Sequence, residues 1–185
     1  MTIKNFCVTI SGVPGSGKST VAKILAEKLK LKRYSTGDFV REEAKKRNLT
    51  LEEYNKLAEK DPTIDSQTDE WQIELSKTEN NFIIDGRLSY HFIPNSIKIF
   101  LDVKPEIGAT RIRLEKRQEE EMKDKKEAIQ IWKQRYNSDK KRYQKYYGIN
   151  PYDKSQYDLV IDTTKLTINE SATKVLEFIK SKSRQ

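Results

Sequence analysis

Cysteine occurs once in the 185 residues, as Cys7, and histidine once, as His91. One cysteine permits neither an internal disulfide nor a cysteine-cluster zinc site, and a reducing cytoplasm is the simplest home for such a chain. Long hydrophobic runs are missing too. The main apolar stretches are Phe6–Ile10, Phe82–Ile84 and Ile97–Val103, all far short of the roughly 20 residues that span a bilayer. Met1–Asn5 leads straight into the first of them, so no secretion signal is expected. There is no internal repeat, low-complexity tract or linker, and 185 residues suit one domain.

What the chain does have is positive charge. Its net charge is +8, and from Arg111 to Lys145 there are 13 Lys/Arg against 7 Asp/Glu. Such a surplus suits a polyanion, either nucleotide phosphates or a nucleic acid, and charge alone does not choose between them.

Short apolar runs alternate with longer amphipathic segments, the pattern of an α/β domain. Phe6–Ile10 reads as a central parallel strand covered on both faces. Val21, Leu25 and Leu29 continue as a helical stripe, and Leu51, Tyr54 and Leu57 form another after the capping-box pattern Thr50-Leu51-Glu52-Glu53. Asp61-Pro62 reads as an N-cap followed by proline at the first helical position. A short second strand is expected near Arg33–Ser35, with further strands at Phe82–Ile84, Ile97–Val103 and Leu159–Ile161. Pro105 opens a helix toward Arg117, Lys123 to Tyr147 reads as one long helix, and Thr167–Glu170 caps a last one. The expectation is a three-layer α/β/α domain with about five parallel strands.

Gly12-Val13-Pro14-Gly15-Ser16-Gly17-Lys18-Ser19 fits the phosphate-loop pattern between a strand and a helix, with Thr20 following. Glycines bring backbone N–H groups around an anion, and the helix dipole adds positive charge there. Gly12 to Thr20 are therefore the expected ATP-binding residues. Lys18 would reach the β and γ phosphates, and the Ser19 hydroxyl would ligate Mg²⁺. Asp85, ending a buried run, would assist the metal through water.

The acceptor must be argued separately. Arg41 lies in Ser35-Thr36-Gly37-Asp38-Phe39-Val40-Arg41 and Arg87 in Asp85-Gly86-Arg87, each after a strand end, where ligands of open parallel sheets bind. Arg135 and Arg142, seven apart with Asp139 between them, share one helix face; as solvated surface charges they would be unremarked. Several arginines beside a γ-phosphate point to an acceptor that is itself a phosphate. Such a dianion needs no general base, whereas an alcohol acceptor would call on Asp38 or Asp85. His91 reads as a loop residue, Cys7 as core, and Trp71 and Trp132 as packing residues.

In these segments the chain resembles the nucleoside monophosphate kinases, most closely the short, archaeal-type cytidylate kinases. Ser35-Thr36-Gly37-Asp38 with Arg41 looks like their acceptor-phosphate segment, and Asp85-Gly86-Arg87 like a cytidylate kinase signature. Leu51–Tyr54, Glu59–Pro62 and Ile64-Asp65 look like the acceptor-binding helices, and Tyr157–Thr163 like the last strand. The match runs from about Cys7 to Ile179. The resemblance implies ATP-dependent phosphorylation of CMP or dCMP with Mg²⁺. It also implies an acceptor-binding helical region at about 36–78 and a lid at about 117–142, near Arg117–Glu127 at its start. Lys18, Arg135 and Arg142 would serve the transferring phosphates, and Thr36, Asp38, Arg41, Arg87 and Asp69 the acceptor. On the helix after Asp61-Pro62, Asp65, Asp69 and Gln72 fall on one face and are candidates to read the base. The chain departs from the longer bacterial enzymes in lacking their inserted acceptor segment. It also carries Tyr136 where they place an aspartate after the first lid arginine. A soluble monomer acting on small molecules is expected, with no membrane and no nucleic-acid partner.

Two alternatives stand beside this reading: another small kinase, for adenylate or a non-nucleotide acceptor, and a nucleic-acid-binding ATPase. For the second, Tyr136, Tyr143, Tyr146 and Tyr147 among the lysines would stack a single strand.

Overall fold

In the computed structural model, which describes residues 6–114 and 125–182, the apolar runs become five parallel strands. They are β1 (Cys7–Gly12), β2 (Lys32–Ser35), β3 (Phe82–Asp85), β4 (Ile97–Asp102) and β5 (Leu159–Asp162), in the order β2-β3-β1-β4-β5. The helices are α1 (Lys18–Leu29), α2 (Thr36–Lys46), α3 (Leu51–Ala58), α4 (Pro62–Thr78), the single turn α5 (Ser89–Phe92), α6 (Pro105–Leu114), α7 (Lys125–Tyr147) and α8 (Ile168–Lys182).

Alternation along the strands sorts side chains to the two faces. Val8, Ile10, Ile83, Ile99 and Leu101 pack on one face against Val21 and Leu25 of α1 and Val175 and Ile179 of α8. Phe100 turns the other way, toward Ala109 and Ile112 of α6 and Ala128 and Trp132 of α7, while Phe82 and Ile84 meet Leu75 of α4. Helices thus cover both faces, giving the expected three layers. The register aligns Ser35 with Asp85 and Ile10 with Asp85, so the carboxyl ends of β1, β2 and β3 finish together. The strand order reverses beside β1, which opens a crevice at these ends.

The caps follow the sequence closely. Thr50 and Glu53 form a reciprocal capping box, Asp61 accepts from the Thr63 amide with Pro62 behind it, and Thr167 and Glu170 form a second box. The α3 stripe differs from expectation. Tyr54 and Ala58 are its buried pair, 2% and 1% exposed, whereas Leu57 stays 37% exposed. They face Ala44 and Ile64, so the neighbours α2 and α4 decide which face turns in. His91 sits exposed on the turn α5, not in a loop. The first part of the expected lid, with Arg117, lies outside the described residues. From Lys125 onward that segment is α7, packed on α6. No described helix is long and apolar enough to cross a membrane.

Candidate functional site

Two clefts open at the carboxyl end of the sheet. The first spans about 400 Å³, part of it open solvent, and is lined by Pro14, Gly15, Gly17, Lys18, Ser19, Thr20, Arg87, Ile112 and Arg135. Gly15 and Gly17 hold left-handed φ values of 72° and 84°, and Gly17 caps α1. That conformation lets the chain turn tightly enough for the first α1 amides, which have no partner within the helix, to face the cleft. Gly12, Val13 and Ser16 complete the loop from beneath; Val13 and Ser16 are 5% and 1% exposed. The Val13 amide donates to Leu101 O, and Thr163 donates to Ser16 O.

Behind the loop, Asp85 is 2% exposed and takes four hydrogen bonds. Ser19 Oγ donates at 2.8 Å and Ser35 Oγ at 3.0 Å to Oδ2, while Arg33 donates through Nε at 3.0 Å and Nη2 at 2.7 Å to Oδ1. A carboxylate offers about four lone-pair sites, so Asp85 has none left for a metal. Ser19, with its proton committed to Asp85, keeps its lone pairs. That pair fits a magnesium ion held by the hydroxyl, with Asp85 acting on the hydroxyl and not on the ion or its waters while these four bonds persist. Among the described residues no group of three or more His, Cys, Asp or Glu could hold a metal by itself, so the phosphates of a bound nucleotide would have to supply other ligands. Arg33, in β2, escaped the sequence reading because its partner lies 52 residues away.

The second cleft spans about 440 Å³, part of it open solvent, and is lined by residues of α2, α3, α4, the β3–α5 turn and α7: Thr36, Val40, Tyr54, Asn55, Asp65, Thr68, Asp69, Gln72, Arg87, Leu88, Arg142 and Tyr143. Arg87 lines both clefts. Four of the six buried polar side-chain atoms without a hydrogen-bond partner, among the described residues, belong to this lining: Tyr54 OH, Asp65 Oδ2, Thr68 Oγ1 and Arg142 Nε. Buried polar atoms normally find partners. Their concentration here marks a surface built for a polar ligand.

The arginines are held by carboxylates. Arg87 Nε donates to Asp139 Oδ2, which also accepts from Tyr152 OH at 3.0 Å. Arg142 Nη2 lies 3.6 Å from Asp139 Oδ1, and Arg142 Nε lies 3.4 Å from Asp65 Oδ2 without a hydrogen bond between them. Burial works against the Asp139 carboxylate, but Arg87 and Arg142 hold its pKa below the ordinary value. Burial lifts Asp65 despite Arg142. Asp69 is pushed up to about 6, chiefly by burial and against the hydrogen bond it receives from Tyr147.

The expected site residues therefore separate into groups. Lys18, Ser19, Thr20 and Arg135 line the first cleft; Thr36, Asp69 and Arg142 line the second. Arg142, grouped by sequence with Arg135, lines the second cleft while Arg135 lines the first. Asp38 and Arg41 pair with each other beside Thr36, outside the lining, and Arg33 Nη1 joins Asp38 at 3.1 Å. The tyrosines that would have stacked a nucleic acid are engaged inside the protein. Tyr136 stacks between Trp132 and Tyr152, Tyr143 lines the second cleft, Tyr146 donates to Glu59 O and Tyr147 to Asp69.

Comparisons with known proteins agree with this geometry. The family model for the cytidylate kinase-like family matches residues 7–165. A cytidylate kinase of Archaeoglobus fulgidus is 41% identical over 157 residues, 84% of this chain and 84% of that protein. An S-adenosylmethionine-dependent nucleotide dehydratase of Lacinutrix mariniflava is 39% identical over 92% of this chain, which spans 35% of that longer protein. Among solved structures, shikimate kinase from Bacteroides thetaiotaomicron superposes with a TM-score of 0.65 at 16% identity, covering 95% of this chain and 98% of its own. That likeness speaks for the fold.

Proposed function

We propose CMP and dCMP as the acceptors of this chain, which belongs to the cytidylate kinase-like family and is a nucleoside monophosphate kinase. The observation carrying the choice of base is the ion pair Asp65 Oδ2 and Arg142 Nε, 3.4 Å apart, an acceptor beside a donor, each without a hydrogen bond, in one cleft wall. Cytosine presents an amino donor next to a ring-nitrogen acceptor, the complement of that pair. Uracil presents a carbonyl and an N–H in the reverse order, so both contacts turn repulsive. A bidentate match of this kind is worth about 1–3 kcal/mol of discrimination. Adenine shares cytosine's donor–acceptor order and differs in size, which makes AMP the informative competitor.

Transfer then follows from the two clefts meeting at Arg87. ATP would lay its phosphates on the Gly12–Thr20 loop, with Lys18 and Arg135 neutralising charge that gathers on the β and γ oxygens. Thr36, Arg87 and, on rearrangement from Asp38, Arg41 would hold the acceptor phosphate, while Asp69 walls the base. That phosphate is mostly a dianion at neutral pH and attacks without a general base. Mg²⁺ would supply further charge neutralisation at the phosphate oxygens, and Ser19, oriented by its hydrogen bond to Asp85, would hold it. We place the enzyme in the cytoplasm, as a monomer.

The test is kcat/KM for CMP, dCMP, UMP, AMP and GMP in wild type and in Asp65→Asn. CMP should lead, and the variant should shrink its lead over UMP by about tenfold to a hundredfold. AMP ranking first would overturn the assignment.

A further inference from the structure

Trp132 of α7 is 6% exposed, and its indole N–H donates to the Pro14 carbonyl at 2.7 Å, joining residues 118 apart in sequence. This contact depends on two glycines. A Cβ on Gly15 would lie 2.2 Å from Gly108 O, and a Cβ on Gly108 would lie 2.7 Å from Trp132 Nε1 and 2.8 Å from Pro14 O. The phosphate loop, α6 and α7 thus meet backbone to backbone, with the indole as the polar link. In a trans peptide the carbonyl oxygen and the next N–H point in opposite directions within one rigid plane, and the described chain has no cis bond. Fixing Pro14 O on Trp132 therefore aims the Gly15 N–H away from α7, toward the cleft that Gly15 lines.

The same indole begins a chain of contacts to the other cleft. Trp132 stacks on Tyr136 with centroids 5.2 Å apart and planes at 15°, and Tyr136 stacks on Tyr152 at 4.1 Å and 7°. Tyr152 donates to Asp139, which holds Arg87 and faces Arg142. Tyr136, the departure from the longer bacterial enzymes, is the middle ring of the stack.

We propose that Trp132 is a positioning residue for the donor phosphates, and that the Trp132–Tyr136–Tyr152 stack is a strut fixing the acceptor-side arginines relative to the phosphate loop. The role rests on the kinase reading above, and it assigns the two ends of the strut different kinetic signatures. Trp132→Phe keeps a ring in the stack and removes the N–H. It should weaken ADP binding, measured by calorimetry, about tenfold and lower kcat, with CMP KM at saturating ATP changed less than about twofold. Tyr136→Leu keeps the N–H and interrupts the stack. It should raise CMP KM by about fivefold to tenfold with ADP binding unchanged.

Folded variants that lose only thermal stability, with ADP affinity and both KM values at wild-type levels, would overturn the proposal. So would the same kinetic loss in both variants. Should Trp132→Phe fail to fold, Trp71→Phe gives the test in another form, since Trp132 is then the sole indole of a chain with two. Its emission should shift on adding ADP, and an unchanged spectrum at saturating ADP overturns the proposal. ADP binding does not depend on the acceptor's identity, so wild type failing to use CMP would defeat the base assignment and leave the ADP-binding arm of this test intact, with KM then read for the acceptor the enzyme does use.

Discussion

The two clefts are nearly equal in size, about 400 and 440 Å³, and are built by opposite methods. The first cleft takes most of its wall from one run, Pro14 to Thr20, whose backbone amides and helix terminus suit a phosphate. The second cleft takes side chains from α2, α3, α4, the β3–α5 turn and α7, and holds most of the buried polar atoms without a hydrogen bond among the described residues. A phosphate is the same on every nucleotide, so a fixed backbone pattern suffices for it. A base edge is particular, and only side chains placed one by one can match its order of donors and acceptors.

Lys18→Ala gives the sharpest break on the donor side. Removing a charge aimed at the β and γ oxygens should lower kcat by about 10²–10³ for every acceptor alike. Near-normal turnover in the folded variant would remove the phosphate loop from the mechanism. The next effect separates the two clefts within one helix. Arg135→Ala should slow all acceptors equally, while Arg142→Ala should compress the CMP:UMP ratio of kcat/KM by about tenfold. Equal, base-independent losses in both would return Arg142 to the phosphates and erase the comparison.

The smallest effect is a pH dependence. The folded protein holds Asp69's proton up to about pH 6, above the unfolded value near 3.9. Its stabilising contribution is therefore complete below about pH 4 and is lost as pH rises through about 6. Asp69→Asn should flatten that fall relative to wild type by roughly 2–4 °C in Tm between pH 4 and 7. Asp65, shifted the same way, remains in both proteins and is coupled to Asp69 by like-charge repulsion, so the difference between the profiles reports Asp69 together with that coupling. Parallel wild-type and variant profiles would mean that Asp69 does not carry the shift.

The contrast also explains what could be read from the chain alone. Gly12–Ser19, the capping boxes at Thr50 and Thr167 and the strands are contiguous patterns, each enforced by local geometry, and they were legible. Asp65, Asp69 and Gln72 were legible as one helix face, though not which of them stands beside an arginine. Arg142 was placed with Arg135 because seven residues bring them to the same face. Seven residues also advance about 10 Å along a helix, enough to carry the second arginine from one cleft to the next. Arg33 with Asp85, Trp132 with Pro14 and Arg87 with Asp139 join residues 52, 118 and 52 positions apart. No local pattern encodes such pairs; the strand order and helix packing create them.

α7 lines up Trp132, Arg135, Asp139, Arg142 and Tyr147 against successive parts of the molecule. Substitutions on its outer face, at Lys133, Lys140, Lys141 or Lys145, leave that alignment alone, since all four are exposed. One codon gained or lost between positions 132 and 147 would turn everything downstream by about 100°, swinging Arg142 and Tyr147 off their partners in a single event. In lineages that keep this architecture, the segment should drift freely in composition along its lysine face while its length stays fixed.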